Sequence, residues 1–460
     1  MEVFKHNLEK RQATAAVIGL GYVGLPLAME IAGAGFKVFG IDVDPNKIAT
    51  LKEGNSYILD VPKEILSGPL ESGRFVPTSD FSVLREVDAV SICVPTPLSK
   101  SRDPDISFIL AATEEIRKNL HKGQLIVLES TTYPGTTDEL ILPELESAGL
   151  HVGKDFFLAF SPERIDPGNA SYNTHNTPKI VGGITPACTE IAHTFYSQFI
   201  KHVIPVSSTK CAEMVKLLEN TFRSVNIGMV NEMALMCDLL GVDIYEVIDA
   251  AATKPFGFIP FYPGPGLGGH CIPIDPHYLA WKLKALNFQA RFIGLAAEIN
   301  GMMPTVVTSL VGEGLNSASK SIRGSKILIL GVAYKKNVSD CRESPALDVM
   351  RMLIDKGAEL SYNDPLVPTL RMAGKVFKSS DLAAENLQKQ DCIVILTDHD
   401  TYDIEKLVAS AKLVIDTRNA TKELHNFKDR IIKLGAGNNS SLPPNHEDEH
   451  QSGAAGLTTH

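Results

Sequence analysis

The sequence predicts an α/β protein with two doubly wound, Rossmann-like sheets joined by a central helical region. In the first part of the chain, a buried strand, a glycine-rich turn and a helix follow one another over 14–31. From Lys326 onward, apolar strands again alternate with helical segments. Between these parts, the stretch from Lys210 to about Ala252 has few helix breakers and a helical apolar period. Because strands that alternate with helices build parallel sheets, each alternating part predicts one sheet.

Composition and charge describe an ordinary globular chain that is too long for a single core. The chain has 460 residues, of which 44% are hydrophobic and 21% charged, and its formal net charge is -10. With no basic excess, we expect neither nucleic acid nor a membrane as a partner. The seven cysteines are scattered without a CxxC pair, so we expect no metal site, no disulfide framework and a reducing, cytoplasmic compartment. The apolar run from Ala13 to about Met29 contains Pro26 and spaced glycines, which argues against a signal peptide.

The glycine-rich turn at 19–24 has the spacing of a dinucleotide-binding turn. It follows the strand predicted at Thr14–Ile18 and opens a helix that runs through Ile31. In such a turn the first glycine makes the bend, the second lets backbone N–H groups reach a pyrophosphate, and the third lets the helix pack on the strand. The candidate cofactor-binding residues here are Gly19, Gly21, Tyr22, Val23 and Gly24.

A carboxylate at the end of the second strand strengthens this interpretation. The strand predicted at Lys37–Ile41 ends in Asp42, which lies at the right distance along the chain to hydrogen-bond the ribose hydroxyls. The following residues, 43–46, include no arginine for a 2′-phosphate, so NAD is favoured over NADP. The alternative is that Asp42 only caps a turn.

Three further strands, predicted at 88–94, 124–128 and 156–160, each end in a polar loop. The carboxyl ends of parallel strands line the ligand crevice of an open α/β sheet. The loops contain four candidate residues for the cofactor, the water or the substrate: Thr96, Thr131, Glu163 and Arg164. All three loops could instead be strand-terminating turns.

A loop of glycines and prolines at 264–275 surrounds Cys271. Glycines such as Gly268 let backbone and a bound molecule approach closely, and Asp275 follows the cysteine by four residues. Cys271 is therefore a candidate nucleophile, although a lone cysteine is more often a small buried hydrophobe.

Lys216 and Asn220 lie one turn apart on the predicted central helix and share a face. Such a pair is usually solvated. If the face points toward Cys271, the ammonium would lower the pKa of the thiol and both side chains would stabilise an oxyanion.

The second alternating part predicts strands at 326–331, 359–362, 391–396 and 412–416. It lacks the GxGxxG pattern, so we expect no second dinucleotide site. Its first loop carries Lys335 and Arg342, which could bind phosphates. Between the cysteine loop and this part, helices are predicted to end at Asn300-Gly301.

Seven motifs together resemble one known family: GLGYVG at 19–24, VPTP at 94–97, ESTTYPGTT at 129–137, SPERIDPG at 161–168, KLLEN at 216–220, GPGLGGHCIPID at 264–275 and YKKNVSDCRESP at 334–345. The chain resembles the UDP-glucose/GDP-mannose dehydrogenase family from the Gly19 turn to about Arg418. Within the family it is most similar to the bacterial UDP-N-acetylglucosamine 6-dehydrogenases of surface polysaccharide synthesis, such as that of the O-antigen of lipopolysaccharide.

The resemblance implies a domain order. We expect an NAD-binding Rossmann domain over 1–208, a central helical and dimerisation region with the cysteine loop over 209–318, and a C-terminal UDP-sugar-binding domain over 319–436. The remaining residues, 437–460, have no periodicity and are predicted to be a disordered tail. A homodimer or higher homo-oligomer is expected.

The resemblance also implies roles for residues. By position, Cys271 matches the nucleophile, Lys216 and Asn220 the oxyanion-stabilising pair, and Asp275 the carboxylate near them. Thr131 and Glu163 match the groups that handle water. Lys335 and Arg342 match residues that contact the sugar nucleotide. Further candidates for the substrate site are Arg164, Lys216, Asn220 and Gly268.

The implied activity is the two-step, four-electron oxidation of C6 of a UDP-sugar by NAD through a Cys271 thiohemiacetal and thioester. Two departures argue against UDP-glucose: Pro167 stands where UDP-glucose enzymes carry a glutamate, and no arginine lies between Lys254 and Gly264. We therefore expect UDP-N-acetylglucosamine, with UDP-N-acetylmannosamine, UDP-N-acetylgalactosamine and UDP-glucose as alternatives.

Two other classes stay open at this point. A single-hydride dehydrogenase of the hydroxy-acid type would use the same cofactor fold and a helix lysine, but would need no cysteine loop. A non-catalytic protein that binds NAD or a sugar nucleotide could keep the phosphate contacts without Cys271, Lys216 and Glu163.

Overall fold

The computed structural model describes residues 2–58, 60–99, 103–165, 171–269 and 271–437, and the chain folds as two compact units. The first unit comprises Met1–Ser224 and His270–Ile293, and the second comprises Val225–Gly269 and the residues from Gly294 onward. The predicted central region is thus shared between the two units. The predicted division into three domains stays a prediction.

In the first unit, eight described strands form one sheet in the order β3-β2-β1-β4-β5-β6-β7-β8. They are β1 (Thr14–Ile18), β2 (Lys37–Ile41), β3 (Phe75–Thr78), β4 (Ala89–Ile92), β5 (Leu125–Leu128), β6 (Phe157–Phe160), β7 (Lys179–Gly183) and β8 (Val203–Val206). The pairs from β3 to β6 are parallel, β7 joins β6 antiparallel, and β8 joins β7 parallel. The first six strands have the order of a Rossmann fold, with a reversed two-stranded extension at one edge.

Side chains of β1 alternate between two hydrophobic cores, which explains why this strand has no polar face. Ala15 and Val17 belong to one cluster, and Ala16 and Ile18 to another. A strand covered by helices on both faces is apolar throughout. The helices of this unit are α1 (Glu2–Glu9), α2 (Gly24–Gly33), α3 (Pro45–Lys52), α4 (Lys63–Glu71), α5 (Ser107–Asn119), α6 (Leu142–Glu146), α7 (Pro186–Tyr196), α8 (Thr209–Leu240, continuing into the second unit), α10 (Asp275–Lys284) and the start of α11 (Arg291–Ser317).

The described strands of the second unit form a parallel five-stranded sheet in the order β10-β9-β13-β14-β15, and a separate antiparallel hairpin, β11-β12. Their bounds are β9 (Lys326–Leu330), β10 (Glu359–Asn363), β11 (Thr369–Met372), β12 (Lys375–Lys378), β13 (Cys392–Ile395), β14 (Val414–Asp416) and β15 (Ile431–Lys433). The remaining helices are α9 (Ile244–Ala252), α12 (Pro345–Asp355), α13 (Ala384–Gln388) and α14 (Ile404–Ser410). Again the first strand alternates between two cores, with Ile327 and Ile329 in one and Leu328 and Leu330 in the other. The predicted class, α/β with two Rossmann-like sheets and a helical region, is confirmed.

One predicted helix end is wrong. Helix α11 continues past Asn300-Gly301 to Ser317. Asn300 is buried, and its side-chain oxygen accepts a hydrogen bond from Asn231 at 2.9 Å, so this polar residue joins two helices within the second unit. The central helical stretch is also two helices, because Gly241 adopts a positive φ of 68° between α8 and α9.

The last described residues are held in place. The backbone N–H groups of Gly435 and Gly437 donate to the carboxylate of Asp238, at 3.2 and 3.0 Å. Residues 438–460, which make up nearly all of the predicted tail, lie outside the described residues. Among the helices in the described ranges, none is both long and apolar enough to cross a bilayer.

Candidate active site

The three glycines of the turn after β1 have three different surroundings. Gly19 has a φ of +92°, and a Cβ there would lie 2.5 Å from the carbonyl oxygen of Cys93. A Cβ on Gly24 would lie 1.9 Å from the carbonyl oxygen of Gly19, so helix and turn require a glycine at that contact. At Gly21 a Cβ would meet no described atom within 4 Å, which leaves this backbone open for a ligand. The neighbouring Tyr22 is exposed, and Val23 precedes α2.

Asp42 is buried at the end of β2, beside the same turn. Its Oδ2 accepts hydrogen bonds from the backbone N–H of Leu20 and from Lys47, both at 2.9 Å. Its Oδ1 accepts from the N–H of Asp44 at 2.9 Å. The carboxylate is therefore held toward the glycine turn, and the Lys47 ammonium lies within hydrogen-bond distance of it.

Three buried polar side chains on one face of α8 reach three different segments of the first unit. Glu213, Lys216 and Asn220 follow the helical spacing i, i+3, i+7, so they lie in one row along the helix. All three are at most 7% exposed. A row of polar groups inside a protein requires partners, and each residue finds its partner on a different segment.

Glu213 binds the loop that follows β5. Its carboxylate accepts hydrogen bonds from the N–H of Gly135 at 2.6 Å, and from the N–H and hydroxyl of Thr137 at 3.0 and 2.8 Å. Burial raises the pKa of this carboxyl, and these donors oppose the increase. The loop carries Thr131, whose partly buried hydroxyl makes no hydrogen bond within the described ranges.

Lys216 binds the loop that follows β6. Its ammonium donates to the backbone carbonyl of Glu163 at 2.6 Å. The side chain of Glu163 turns back on its own loop, because its Oε1 accepts from the N–H groups of Arg164 and Ile165, both at 2.7 Å. Lys216 thus places the backbone of this loop, and the two N–H donors place its carboxylate.

Lys179, the first residue of β7, lies between two buried carboxylates. Its ammonium is 2.5 Å from Oε2 of Glu129 and 3.4 Å from Oε2 of Glu163, and the hydroxyl of Tyr196 donates to Oε1 of Glu129. Burial alone raises the pKa of Glu163, but Lys179 and the N–H of Ile165 outweigh burial and hold the pKa below its usual value. For Glu129 burial prevails, so its pKa is raised despite the charge of Lys179. Burial alone would lower the pKa of Lys179, but the two carboxylates raise it.

Asn220 binds the start of α10. Its amide donates to Oδ2 of Asp275 at 2.5 Å, and Asp275 is 1% exposed. Burial raises the pKa of Asp275 to about 6, although Lys216 and Asn220 both favour its charged form. The N–H of Asp275 donates to the carbonyl oxygen of Cys271 at 2.8 Å. Cys271 therefore lies one turn before α10, with its thiol partly exposed.

Helix α10 also positions the loop that follows β4. The hydroxyl of Tyr278 donates to the carbonyl oxygens of Thr96 and Pro97, at 2.9 and 3.4 Å. Residues 271–278 are thus connected by hydrogen bonds to the cofactor-side loop and to α8. This connection links the candidate nucleophile to the candidate cofactor site within one unit.

Arg164 pairs with its own unit. Its guanidinium donates to Glu219 of α8, with a shortest distance of 2.6 Å, and to the carbonyl oxygen of Pro178 at 2.7 Å. These bonds fasten the loop after β6 at its far side. Its predicted role as a substrate contact stays a prediction. Asp166, Pro167 and Gly168, the end of the same motif, lie outside the described residues.

In the second unit, the glycines of the cysteine loop pack against the loop between β9 and α12. A Cβ on Gly268 would lie 2.7 Å from the Cβ of Tyr334, and the N–H of Gly269 donates to the carbonyl oxygen of Arg342 at 3.1 Å. Packing within the protein therefore requires a glycine at position 268. The predicted contact of Gly268 with the substrate stays a prediction. Arg342 is exposed and pairs with Asp340 at 2.7 Å, and Lys335 is partly exposed.

The same loop is anchored by a carboxylate at the end of β10. Asp364 accepts hydrogen bonds from the N–H groups of Val332 and Ala333 at 2.8 and 3.1 Å, and it contacts Nε2 of buried His399 at 3.1 Å. At the start of α12, the hydroxyl of Ser344 is buried and makes no hydrogen bond within the described ranges.

Sequence reasoning missed four residues of this site: Glu129, Lys179, Glu213 and Tyr278. Glu213 lies three residues before Lys216, and this helical spacing could have identified it. Lys179 opens an otherwise apolar strand, which is an unusual place for a lysine. In the part of the chain that the structure describes, no group of three histidine, cysteine or carboxylate side chains could hold a metal ion.

The first unit thus combines an open glycine turn of the dinucleotide-binding kind with a row of buried polar side chains on one helix face, which points to the class of NAD-linked dehydrogenases. Comparison with known proteins identifies the family. Three family models match in succession: the NAD binding domain of the UDP-glucose/GDP-mannose dehydrogenase family at 13–200, its central domain at 210–302 and its UDP binding domain at 328–423. The chain belongs to this family and is an NAD-dependent UDP-sugar dehydrogenase.

Individual relatives are similar over most of their length. A UDP-N-acetyl-D-mannosamine dehydrogenase of Methanococcus maripaludis is 36% identical, over 91% of this chain and 97% of the relative. A UDP-N-acetyl-D-glucosamine 6-dehydrogenase of Pseudomonas aeruginosa is 35% identical, over 76% of this chain and 82% of the relative. The solved structure of a UDP-D-ManNAc dehydrogenase from Pyrococcus horikoshii superposes with a TM-score of 0.84 at 35% identity, over 92% of this chain and 99% of that chain.

Proposed function

We propose that this enzyme oxidises C6 of a UDP-N-acetylhexosamine to the carboxylate, in two oxidations, through a thioester on Cys271. The observation that carries the proposal is the polar row on α8, because it holds the Thr131 loop, the Glu163 loop and the start of α10, one turn after Cys271, in one unit. A dehydrogenase that removes a single hydride requires no such joint placement of thiol, ammonium and carboxylates.

The glycine turn and Asp42 fit a dinucleotide, since the backbone at Gly21 is open and Asp42 is held toward the turn. NAD, when bound there, accepts the hydride in each oxidation. The remaining chemistry belongs to side chains. C6 loses a hydride and its hydroxyl loses a proton to give the aldehyde. The Cys271 thiolate then adds to the aldehyde carbon, and the carbonyl oxygen takes up a proton, which gives a thiohemiacetal. The second oxidation leaves a thioester, which water hydrolyses to the acid and the thiol.

Cys271 is favoured as the nucleophile by its position. It lies one turn before the ten-residue helix α10 and accepts the N–H of Asp275 with its carbonyl oxygen, and the N-terminus of a helix stabilises a nearby thiolate. The ammonium of Lys216 is a second source of positive charge. One of its three N–H donors binds the backbone carbonyl of Glu163. The ammonium can therefore also stabilise the alkoxide of each oxidation, together with Asn220.

Asp275 has the character of a proton acceptor near neutral pH. Its carboxyl is buried, its pKa is raised to about 6, and it is held by Asn220. We propose that it takes the proton released when the C6 hydroxyl is oxidised.

Glu163 and Thr131 are proposed to handle the hydrolytic water. Glu163 is charged at neutral pH, because its pKa lies below the usual value, and the Thr131 hydroxyl makes no hydrogen bond within the described ranges. A carboxylate accepts the proton of the water, and a hydroxyl can hold the water in place.

The second unit is proposed to bind the UDP group at the loop between β9 and α12. Lys335 and Arg342 supply positive charge, and the N-terminus of the eleven-residue helix α12 favours phosphate. The buried hydroxyl of Ser344, with no partner among the described residues, is a further donor for a phosphate oxygen at this end of the helix.

The hexosamine is proposed to be UDP-N-acetylglucosamine or its C2 epimer, UDP-N-acetylmannosamine. The sequence favoured the first. Several relatives, including that of Methanococcus maripaludis, are named for the second, and that of Pseudomonas aeruginosa is named for the first. Pro167, which replaces a glutamate of UDP-glucose enzymes, argues against UDP-glucose. The product would enter surface polysaccharide synthesis in the cytoplasm, and the enzyme would act as a homodimer.

A substrate panel tests the activity. With NAD and UDP-N-acetylglucosamine, UDP-N-acetylmannosamine, UDP-N-acetylgalactosamine or UDP-glucose, absorbance should show about two NADH per UDP-N-acetylhexosamine oxidised. One NADH would indicate a single-hydride dehydrogenase, and none would indicate a binding protein. A kcat/KM for UDP-glucose similar to that for the best hexosamine would contradict the proposed substrate class.

The covalent step is tested by Glu163→Gln. Both oxidations should persist while hydrolysis slows, because an amide does not deprotonate the attacking water. Intact-mass analysis after mixing with NAD and substrate should show the uronyl nucleotide attached to Cys271, and a burst of NADH should precede a slow steady state. The double variant with Cys271→Ala is the control and should show no adduct. Normal turnover without an adduct would remove Glu163 from the mechanism.

A further inference from the structure

In the first unit, the proposed hydrolytic base Glu163 belongs to a buried charge cluster whose other two members, Lys179 and Glu129, the proposed mechanism does not use. The side chains of Lys179, Glu129 and Glu163 are 6%, 0% and 11% exposed. Burying three charges requires that they compensate each other, because each loses its hydration. One ammonium therefore serves two carboxyl groups, one of which is the proposed hydrolytic base Glu163.

The ammonium is shared unequally. Lys179 lies 2.5 Å from Glu129 and 3.4 Å from Glu163, in both cases from Oε2. The other oxygen of Glu129 accepts from Tyr196, and the other oxygen of Glu163 accepts two backbone N–H groups. Oε2 of Glu163 is therefore the oxygen of this cluster with the loosest contact.

We propose that Lys179 is a positioning residue for thioester hydrolysis, which, by sharing its charge with Glu129, holds Glu163 as a carboxylate with Oε2 available to the attacking water. This inference rests on the proposed function. In the step concerned, the water oxygen bonds to the thioester carbon and a water proton passes to Oε2 of Glu163. The carbon–sulfur bond then breaks, and the electron pair leaves with the Cys271 sulfur.

Sharing the Lys179 ammonium between Glu129 and Glu163 affects the basicity of Glu163. Without an adjacent cation, a buried carboxyl becomes protonated and cannot accept a proton from water. If Lys179 instead bound Glu163 alone, at the shorter of the two distances, Glu163 would be a weaker base and its Oε2 would be occupied by the ammonium. Glu129 binds Lys179 more closely and so moderates its effect on Glu163.

The charged and titratable groups around this cluster come from several elements and set the pH response together. They are Lys179 of β7, Glu129 after β5, Lys216 of α8, Tyr196 of α7, Cys93 after β4 and Arg164 beside Glu163.

The test measures the rate of acyl-enzyme hydrolysis against pH in single turnovers, in Lys179→Met, Lys179→Arg and the double variant Lys179→Met/Glu129→Gln. Losing the ammonium should move the acid limb of the profile upward by about one to two pH units, because Glu163 loses its nearest opposite charge. Lys179→Arg retains the charge and should keep the wild-type limb. The double variant removes one positive and one negative charge, so it should fold even if Lys179→Met does not. Its acid limb should also shift to higher pH.

Two further variants serve as controls. Lys5→Met, which removes an exposed ammonium paired with Glu190, is the matched control and should leave the profile unchanged. Glu163→Gln should abolish the limb. If Glu163→Gln hydrolyses the thioester normally, the proposed function of Glu163 fails and the inference with it. If Glu163→Gln is slow but the limb stays in place in both variants without Lys179, only the role of Lys179 is overturned.

Discussion

At the scale of single residues, the carboxyl groups of the first unit differ because their neighbours differ. For Asp275 burial outweighs Lys216 and one amide donor and raises the pKa to about 6, whereas for Glu163 Lys179 and two N–H donors outweigh burial and lower the pKa. Asp42 is held by a backbone N–H and by Lys47. One chemical group can therefore serve as a proton acceptor, a hydrolytic base and a ribose ligand.

The role proposed for Asp42 predicts a change in cofactor preference. Asp42→Ala should lower kcat/KM with NAD by about tenfold or more, because a hydrogen bond between the carboxylate and the ribose is lost. The gap between NAD and NADP should narrow, since the repulsion of a 2′-phosphate is removed and Lys47 loses its partner. Kinetics with both cofactors measure this. In the control Lys47→Met the preference for NAD should persist; an unchanged preference in Asp42→Ala would place the ribose elsewhere.

The raised pKa of Asp275 predicts a stability effect with a definite sign. The carboxyl binds its proton more tightly in the folded chain than in the unfolded chain, so the free energy of unfolding falls as pH rises from about 4 to about 6. Because asparagine does not titrate, Asp275→Asn removes this decrease in the free energy of unfolding. Above pH 6 the variant should be more stable than the wild type, by about 2–3 kcal/mol at most.

Activity should change in the opposite direction, because the variant lacks the proton acceptor of the oxidation steps. Urea unfolding at pH 4 and pH 8, together with kcat at pH 8, measures both effects. A stability difference that is equal at the two pH values would contradict the assignment.

At the scale of elements, α8 is the part that assembles the site. Its polar row binds two loops and the start of α10, which are far apart in the sequence, and α10 extends the assembly through Tyr278 to the loop after β4. The two Rossmann-like sheets also share one hydrogen-bonding arrangement. An aspartate at the end of the second strand, Asp42 or Asp364, accepts backbone N–H groups of the turn after the first strand.

Glu213 gives the element-scale prediction. Glu213→Gln places an amide N–H where one oxygen now accepts from backbone or hydroxyl donors, so the loop that carries Thr131 loses a contact. We expect a loss of about 1–3 kcal/mol in the free energy of unfolding and slower thioester hydrolysis, seen as a burst of NADH before a slower steady state. Glu232→Gln, an exposed change on the same helix, is the control. Unchanged hydrolysis in Glu213→Gln would limit Glu213 to a structural role.

At the scale of the whole molecule, the two Rossmann-like units differ where a ligand would approach. In each unit the turn after the first Rossmann strand, β1 or β9, begins with a glycine of positive φ that packs closely on a neighbouring segment. A Cβ on Gly19 would lie 2.5 Å from Cys93, and a Cβ on Gly331 would lie 2.4 Å from Thr397. In the first unit the open Gly21 follows, whereas Gly331 is followed by buried Val332 and Ala333. This difference explains why the dinucleotide turn is found in the first unit.

The proposed homodimer gives the prediction for the whole molecule. In the second unit, α8 exposes apolar side chains at helical spacing: Met229, Met233, Met236 and Leu240. An exposed apolar row of this kind is typical of a protein interface. Met229→Glu with Met233→Glu should convert a dimer into monomers in sedimentation equilibrium, because charges would be buried at the contact. Val376→Glu, on the exposed hairpin, is the control; a dimer that survives the double change would place the interface elsewhere.

Much of the fold could be predicted from local patterns. Strands β1 and β2 have the predicted bounds, and the glycine turn has the predicted packing, because a buried strand and a tight turn each leave a signal in neighbouring residues. Among the described strands, β3, β7, β8, β11, β12 and β15 were missed, and two of these leave a weak local signal. β3 and β8 are four residues long and each contains a proline, and β8 is not fully buried. Their place in the sheet depends on pairing with distant strands.

The sequence by itself determined the family, the α/β class, the cofactor turn and the residues proposed for chemistry, because these depend on short motifs whose spacing is a local property. Only the tertiary structure decided which residues meet. Lys179 lies 50 residues from Glu129 and 16 from Glu163, and Glu213 lies 78 residues from Gly135. No local period records such contacts, since they form only when strands and α8 pack together and buried charges must find partners.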